Sequence, residues 1–196
     1  MGHRGAAGEV LENTLESVSR AVEAGVDMVE VDLRQTADGN LVVFHDANLD
    51  RLTGRDLEIE TVRWAEISGL EIVAPERAAG RIPLLCDLLD AAPRELPLDL
   101  EVKIDRASRE GLAKRLLAEL RGRERVLVSS FDWTFLALLR RLAPTLPLAP
   151  ISREDRSGLQ RLENPGVPSR AQADDAPGSG RNQIDMLEQR QSFLER

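Results

Sequence analysis

Hydrophobic positions follow two different spacings along the first 151 residues. Apolar residues three and four positions apart are typical of amphipathic helices, whereas short alternating or continuous apolar runs are typical of strands. The helical spacing occurs at residues 13–24, 84–92, 108–120 and 133–142. The strand patterns occur at residues 26–33, 41–44, 98–104, 125–131 and 146–151. Strand and helix therefore alternate, which predicts an α/β fold with a parallel sheet covered by helices, of which a TIM-type barrel is the natural form.

Residues 46–81 interrupt this alternation. They are irregular and charged, with one short helix expected after Thr61, and we interpret them as an excursion over the mouth of the barrel. Asp38-Gly39, just before the strand at 41–44, marks a turn.

Three further features concern packing and helix ends. Glu12-Asn13-Thr14 stands directly before the first helix and is interpreted as its N-cap. Trp64 and Trp133 are interpreted as core residues.

The composition changes after about residue 152. Polar residues, Pro and Gly dominate there, and apolar residues are too sparse for a strand. We therefore divide the chain into a partial barrel at 1–151 and a divergent tail at 152–196. Within the tail, residues 153–182 are expected to be disordered and residues 184–194 to form a short amphipathic helix.

Charge and composition narrow the possible partners and location. With 26 basic and 34 acidic side chains the net charge is −8, which argues against nucleic acid as a partner and means that a small anionic substrate needs local positive charge or a metal. Cys86 is the one cysteine, so we expect a buried, inert thiol rather than a disulfide. The sequence has neither an apolar run long enough to span a membrane nor a leader after Met1, so the predicted location is cytoplasmic.

Three carboxylates are candidate metal ligands. Glu30 and Asp32 are two positions apart on one strand and share a face, and Glu101 lies on a later strand. Carboxylate oxygens at the end of a barrel suit a hard cation such as Ca²⁺ or Mg²⁺. The alternative is that these acids only solvate the rim.

Four basic residues complete the candidate chemistry. His3 and His45 are the two histidines of the chain and are candidates for general acid and base, although either could be a surface residue in a turn. Arg4 is a candidate phosphate ligand, or a solvated side chain. Lys103 shares an inward face with Glu101, as part of a metal and phosphate site or of a structural ion pair.

Together these phrases resemble the glycerophosphodiester phosphodiesterase family. The resemblance rests on an ordered series of motifs, which reads His3-Arg4-Gly5, Glu12-Asn13-Thr14, Gly25-Val26-Asp27-Met28-Val29-Glu30-Val31-Asp32, Thr36-Ala37-Asp38-Gly39, Val42-Val43-Phe44-His45-Asp46, Leu49-Asp50-Arg51-Leu52-Thr53, Ile82-Pro83-Leu84-Leu85, Leu100-Glu101-Val102-Lys103 and Ser129-Ser130-Phe131-Asp132. It implies a TIM-barrel hydrolase that uses a divalent cation to split a glycerophosphodiester into glycerol 3-phosphate and an alcohol.

The resemblance also implies a role for each matching position. The implied acid and base are His3 and His45. The implied metal ligands are Glu30, Asp32 and Glu101. Arg4 and Lys103 would stabilise the charge of the substrate phosphate. Whether water or a glycerol hydroxyl attacks first is left open.

The chain departs from the family at both ends. Only Met1 and Gly2 precede His3, so the first strand is expected to be clipped, and the last three βα units of the barrel have no counterpart after residue 151. A truncated or frame-shifted product with open barrel edges is expected to self-associate through them. Two alternatives therefore stand beside the enzyme: an inactive barrel that at most binds metal or phosphate, and a phosphodiesterase directed at lysophospholipids.

Overall fold

The structure is a computed structural model that describes residues 1–152. The strands are β1 (Gly2–His3), β2 (Val29–Gln35), β3 (Leu41–Val43), β4 (Glu71–Ile72), β5 (Gly80–Arg81), β6 (Leu98–Val102), β7 (Val126–Ser130) and β8 (Leu148–Pro150). The helices are α1 (Leu15–Glu23), α2 (Asp50–Thr53), α3 (Trp64–Ile67), α4 (Leu85–Ala91), α5 (Arg109–Glu119) and α6 (Trp133–Leu142), with a 3-10 turn at Ile59–Thr61. The predicted disorder at 153–182 and the predicted helix at 184–194 lie outside the described residues.

Five strands form the parallel part of the sheet, in the order β1-β2-β6-β7-β8. The connections from β6 to β7 and from β7 to β8 each contain one helix, as a parallel pair requires. The expected barrel alternation is thus present, and the first strand is as short as expected.

One strand differs from the predicted parallel sheet. β3 pairs antiparallel with β2. The connection is a tight turn in which Gly39 has φ of 86° and Thr36 donates its amide to the carbonyl of Asn40. So short a link cannot bring the chain back for a parallel pair, so β2 and β3 form a hairpin.

The two faces of the parallel strands carry different residues. Outward positions such as Val31, Leu100 and Val128 pack against the helices in the main hydrophobic cluster. Inward positions begin with the apolar cluster of Met28, Leu127 and Ala149 and become polar toward the carboxyl ends of the strands. The change of polarity places the carboxylates at the end of the barrel where sites of this fold gather.

Residues 46–81 form a packed layer with a hydrophobic cluster of their own. Its buried side chains include Leu49, Leu52, Ile59 and Ile67. Glu60 of this segment accepts hydrogen bonds from the backbone amides of residues 105–107, in the loop that follows β6. The segment therefore does lie over the carboxyl edge of the sheet, as an ordered unit rather than a loose excursion.

Of the predictions for the first N-cap and the two tryptophans, two are confirmed and one is wrong. Thr14 caps α1, because its hydroxyl accepts from the amide of Ser17 at 3.0 Å. Trp64 packs against the second cluster. The core prediction for Trp133 is wrong: the residue begins α6, is 44% exposed, and donates its indole N–H to the carbonyl of Ile151.

Two further observations concern Cys86 and the helices. The thiol is half-buried rather than fully buried, and burial together with the charge of Asp87 raises its pKa, so it stays protonated at neutral pH. Within residues 1–152, no helix is both long and apolar enough to cross a membrane.

Candidate active site

The structure brings the three predicted metal ligands together. Glu30, Asp32 and Glu101 each offer a carboxylate oxygen, and these oxygens all lie within 4.8 Å of one another. The register of β2 and β6 pairs Asp32 directly with Glu101. The side chains of Glu30 and Asp32 are each 2% exposed, so they do not solvate a rim. Three convergent carboxylates are a donor set for a hard divalent cation.

The raised pKa of Glu30 and its oxygen that is unpaired within residues 1–152 both indicate that the acidic group would be stabilised by a cation. Burial, and next the charge of Asp32, raises the pKa of Glu30 to about 8, although its carboxylate accepts the Arg4 amide at 2.9 Å. Its Oε1 atom is buried and makes no hydrogen bond within the described part of the chain. A buried oxygen of this kind carries the full cost of desolvation, which a bound cation would offset.

Lys103 supplies positive charge beside the acids. Its ammonium lies 3.1 Å from Asp32 Oδ1 and also donates to Glu101 Oε1. On its other side it lies 5.9 Å from the centre of the Phe131 ring. The ion pair proposed from the sequence is therefore present, within the acidic group itself.

Arg4 reaches the same group from the loop after β1. Its guanidinium Nε lies 3.2 Å from Asp32 Oδ2, and its Nη1 donates to Glu12 Oε1 at 2.9 Å. The backbone of Arg4 is left-handed, with φ of 52°, and this turns its amide toward Glu30. The side chain is only 19% exposed and is thus held rather than freely solvated.

His3 stands at the open side of the acidic group. Its Nε2 lies 3.8 Å from Glu30 Oε2, and its side chain is 65% exposed. Partial burial and the charge of Arg4 lower the pKa of His3, against the opposing influence of nearby acids. An exposed imidazole next to the carboxylates can exchange protons with a ligand bound there.

His45 follows β3 and is held by two contacts. Its Nδ1 lies 2.6 Å from Asp46 Oδ1, and its carbonyl accepts from Arg34 Nε at 2.8 Å. The amide of the preceding residue, Phe44, donates to the carbonyl of Asp32 at 3.0 Å. His45 is therefore the next residue along the chain after one that is bonded to the backbone of a candidate metal ligand. A carboxylate acceptor at Nδ1 favours the tautomer in which Nε2 is free to take a proton.

Asp46 is ionised in this arrangement. Burial acts to raise its pKa, but hydrogen bonds from Arg51 and His45 outweigh burial and lower it.

Asn13 is a site residue that the sequence interpretation missed. It is 1% exposed, donates from Nδ2 to Asp32 Oδ2 at 2.9 Å, and accepts the Asp32 amide on Oδ1 at 3.1 Å. The signal was present in Glu12-Asn13-Thr14, since one polar residue suffices for an N-cap and three stand there. Thr14 caps the helix, which leaves Asn13 and Glu12 for the site.

Comparison with known proteins identifies the family of this chain. The glycerophosphoryl diester phosphodiesterase family model matches residues 3–168. A glycerophosphodiester phosphodiesterase of Caldanaerobacter subterraneus is 32% identical over 155 residues, which are 76% of this chain and 64% of that protein. Human lysophospholipase D is 38% identical over 114 residues, which are 54% of this chain and 36% of the human protein.

A solved structure shows the same fold. A phosphodiesterase of Oleispira antarctica, in complex with the product sn-glycerol-3-phosphate, matches with a TM-score of 0.69 and 28% identity. The match covers 76% of this chain and 64% of that one. The chain spans 64% of both the Caldanaerobacter and the Oleispira protein, just under two thirds, and 36% of the human protein. It has a TIM-barrel fold and belongs to the glycerophosphoryl diester phosphodiesterase family.

Proposed function

We propose that this chain hydrolyses glycerophosphodiesters to glycerol 3-phosphate and an alcohol with the help of a divalent cation. The observation that carries the proposal is the convergence of Glu30, Asp32 and Glu101 at the carboxyl end of a barrel, with Lys103 and Arg4 against them. The product named for the Oleispira structure is the product expected here.

In this proposal the acidic group holds Ca²⁺ or Mg²⁺. The cation would polarise the phosphoryl oxygens of a bound phosphodiester. Arg4 and Lys103 lie where they would also face the negative charge of that phosphate.

The two histidines supply proton transfer. One imidazole takes the proton of the attacking hydroxyl as its oxygen forms a bond to phosphorus. The bond from phosphorus to the leaving alcohol breaks, and the other imidazole gives that alkoxide its proton. Attack by water yields glycerol 3-phosphate directly, whereas attack by the glycerol hydroxyl first yields a cyclic phosphate.

The test is release of glycerol 3-phosphate from glycerophosphocholine by the purified chain with Ca²⁺, Mg²⁺ or EDTA. We expect turnover that depends on one of the cations and that His45→Ala lowers by about 100-fold or more. ³¹P NMR of the reaction distinguishes the cyclic intermediate from direct hydrolysis. Cation-independent release, or release that survives His45→Ala in a folded sample, would contradict the proposal.

Lysophospholipids are the second candidate substrate class. The observation that favours them is the similarity to human lysophospholipase D. Lysophosphatidylcholine in the same assay separates the two classes by the ratio of kcat/KM. The reacting phosphodiester is the same in both, so the site residues keep their roles.

An inactive barrel that only binds metal or phosphate is the remaining alternative. Thermal melting with calcium or phosphate, in parallel with the assay, identifies it, because a ligand raises Tm only where the folded chain binds it. A calcium-dependent shift without turnover in any cation would support this alternative.

Self-association and location complete the proposal. β1 and β8 are the outer strands of the sheet within residues 1–152, and outer strands offer backbone groups for pairing with a second copy. Sedimentation velocity is expected to show a dimer, and a monomer at all concentrations would contradict it. A cytoplasmic location stays a prediction, testable by fractionation.

A further inference from the structure

A chain of ion pairs links the two histidine-bearing parts of the site. It runs from His45 through Asp46, Arg51, Glu12 and Arg4 to Asp32. Glu12 and Arg51 lie in the middle of this chain of contacts. Among residues 1–152, their ion pairs are with Arg4, Asp46 and each other, and not with a histidine or a candidate metal ligand. We propose that this pair is a positioning bridge for the proposed reaction: it fixes His45 through Asp46 and fixes Arg4 at the acidic group.

Arg51 contacts two carboxylates at once. Its Nε lies 2.5 Å from Asp46 Oδ2, and its Nη2 lies 2.5 Å from Glu12 Oε1. Burial acts to lower the pKa of Arg51, but its hydrogen bonds to Glu12 and Asp46 outweigh burial and raise it. A planar guanidinium that binds two acids fixes the angle between them, which a lysine ammonium cannot do.

Asp46 transmits this constraint to His45. Its Oδ2 is bound by Arg51, and its Oδ1 faces His45 Nδ1. Without Arg51 the carboxylate can rotate, and the imidazole loses the acceptor that selects its tautomer. Arg51 therefore acts on His45 through Asp46.

Glu12 transmits the constraint in the other direction. Its Oε1 accepts both from Arg51 Nη2 and from Arg4 Nη1. Glu12 thereby holds Nη1 of Arg4 while Nε of Arg4 lies beside Asp32, so only part of the guanidinium faces the acidic group. The bridge joins residues 39 positions apart in sequence, so no local element could make it.

A matched ion pair elsewhere in the chain serves as a control. Arg115 binds Glu119 through Nε at 2.6 Å on α5, away from the site. The two arginines are equally exposed at 48%, and the two glutamates are similarly buried, at 11% for Glu119 and 18% for Glu12. Only the pair with Arg51 connects to a histidine.

The experiment measures kcat and KM on glycerophosphocholine for Arg51→Ala, Glu12→Gln, the double variant and Arg115→Ala. We expect each single variant at the bridge to lower kcat about 10- to 100-fold, as loss of a partner that orients an active-site residue does. The double variant is expected to lose little more than either single one, because the two residues act as a unit. Arg115→Ala is expected to match wild type.

Two readouts separate positioning from general stability. Calcium affinity of Arg51→Ala, measured by calorimetry, is expected to stay at the wild-type value, because this variant keeps the three acids and the contact between Glu12 and Arg4. Arg51→Lys is expected to restore charge and Tm but only part of kcat. The proposal would be overturned if the losses in kcat of the two single variants multiply in the double variant. It would also be overturned if Arg51→Ala lowers kcat no more than Arg115→Ala does.

A third readout does not depend on turnover. The chain has two histidines, so ¹⁵N NMR resolves both imidazoles. We expect His45 to hold its proton on Nδ1 in the wild type and to become a mixture of tautomers in Arg51→Ala, while His3 is unchanged. If the wild type shows no turnover, the proposed function fails, and identical His45 spectra in the two proteins would overturn the bridge as well.

Discussion

Burial and the charge of Asp32 destabilise the ionised form of Glu30 when no metal is bound. Its ordinary pKa is 4.5 and its folded-state pKa is about 8, so between these values the folded chain holds a proton that the unfolded chain has released. The free energy of unfolding therefore falls as pH rises through this window, by at most about 1.4 kcal/mol per pH unit from this group. The same burial and charge that would favour a cation at Glu30 thus destabilise the fold when no cation is bound.

Glu30→Gln removes this dependence. In EDTA, we expect the variant to gain stability relative to wild type as pH rises from 5 to 8, measured by denaturant unfolding at each pH. Excess calcium is expected to stabilise wild type and to have little effect on the variant. Parallel stability curves for the two proteins across this range would show that Glu30 does not titrate there.

Asn13 offers a second prediction for a single residue. It holds both the carboxylate and the amide of Asp32, so Asn13→Ala is expected to weaken calcium binding about 10- to 100-fold in calorimetry. Asn48→Ala removes a half-buried amide that binds Asp56 and the Asp50 backbone amide instead, and it is expected to leave calcium binding unchanged. Equal affinities for the two variants would remove Asn13 from the site.

The left-handed backbone of Asn13 allows the effect of a substitution on stability to be separated from its effect on calcium binding. Its φ is 57°, which an alanine tolerates poorly and a glycine tolerates well. Asn13→Gly is therefore expected to be more stable than Asn13→Ala in thermal melting and equally poor in calcium binding.

At the level of single residues, the sequence identified the candidate ligands and proton donors and missed the residues that contact and hold them. His3, Arg4 and the three acids could be named because their chemistry fits a phosphate or a cation. Asn13 contacts Asp32, 19 positions away, and Arg51 contacts Glu12, 39 positions away, and no local spacing predicts such contacts. Trp133 was misassigned because its pattern fits a helix but does not say which end of the helix is exposed.

Among the elements, the turn from β1 to α1 depends on one close approach. Gly5 has φ of 77°, and a Cβ on it would lie 2.3 Å from Ser17 Oγ and 2.6 Å from the Ser17 carbonyl carbon. Ser17 completes the cap of α1 and donates from its hydroxyl to the Arg4 carbonyl at 2.9 Å. The helix and the turn that carries His3 and Arg4 are thus built against each other.

Gly5→Ala is expected to destabilise the fold by about 2–4 kcal/mol and to weaken calcium binding, because it shifts the turn whose Arg4 amide orients Glu30. Gly8→Ala is the matched control, because a Cβ there meets nothing within 4 Å in the described structure. Denaturant unfolding of both variants checks the difference, and similar midpoints would contradict the close approach.

The elements themselves were largely predictable, but their pairing was less so. The helix at 133–142 has the predicted bounds, and β6 and β7 lie within their predicted ranges. The antiparallel direction of β3 follows from the short turn at Asp38-Gly39, a local signal that overrides the general alternation of strand and helix. The position of the layer at 46–81 over the barrel mouth and its short helix after Thr61 were predicted, but its packed core was not, because its short elements have too few residues for a clear period.

On the scale of the whole molecule, the described residues pack around two main hydrophobic clusters. The larger one lies between the sheet and helices α1, α4, α5 and α6, and the second fills the layer over the carboxyl edge. β3 belongs to both, because Leu41 and Val43 face the first cluster, while Val42 and the residue after the strand, Phe44, face the second. A strand with alternating faces is the natural wall between two cores.

This wall has a consequence for how the protein loses function. Buried regions with separate cores open as separate cooperative units, at different free energies. The layer that holds Arg51 and adjoins His45 is the smaller unit, whereas Glu30, Asp32 and Glu101 stand on the central strands of the larger one. In mild denaturant, hydrogen exchange is expected to open residues 49–72 before β2 and β6. Turnover is then expected to disappear at a denaturant concentration at which calcium still binds, so the protein would pass through a state that holds the ion without the means to use it.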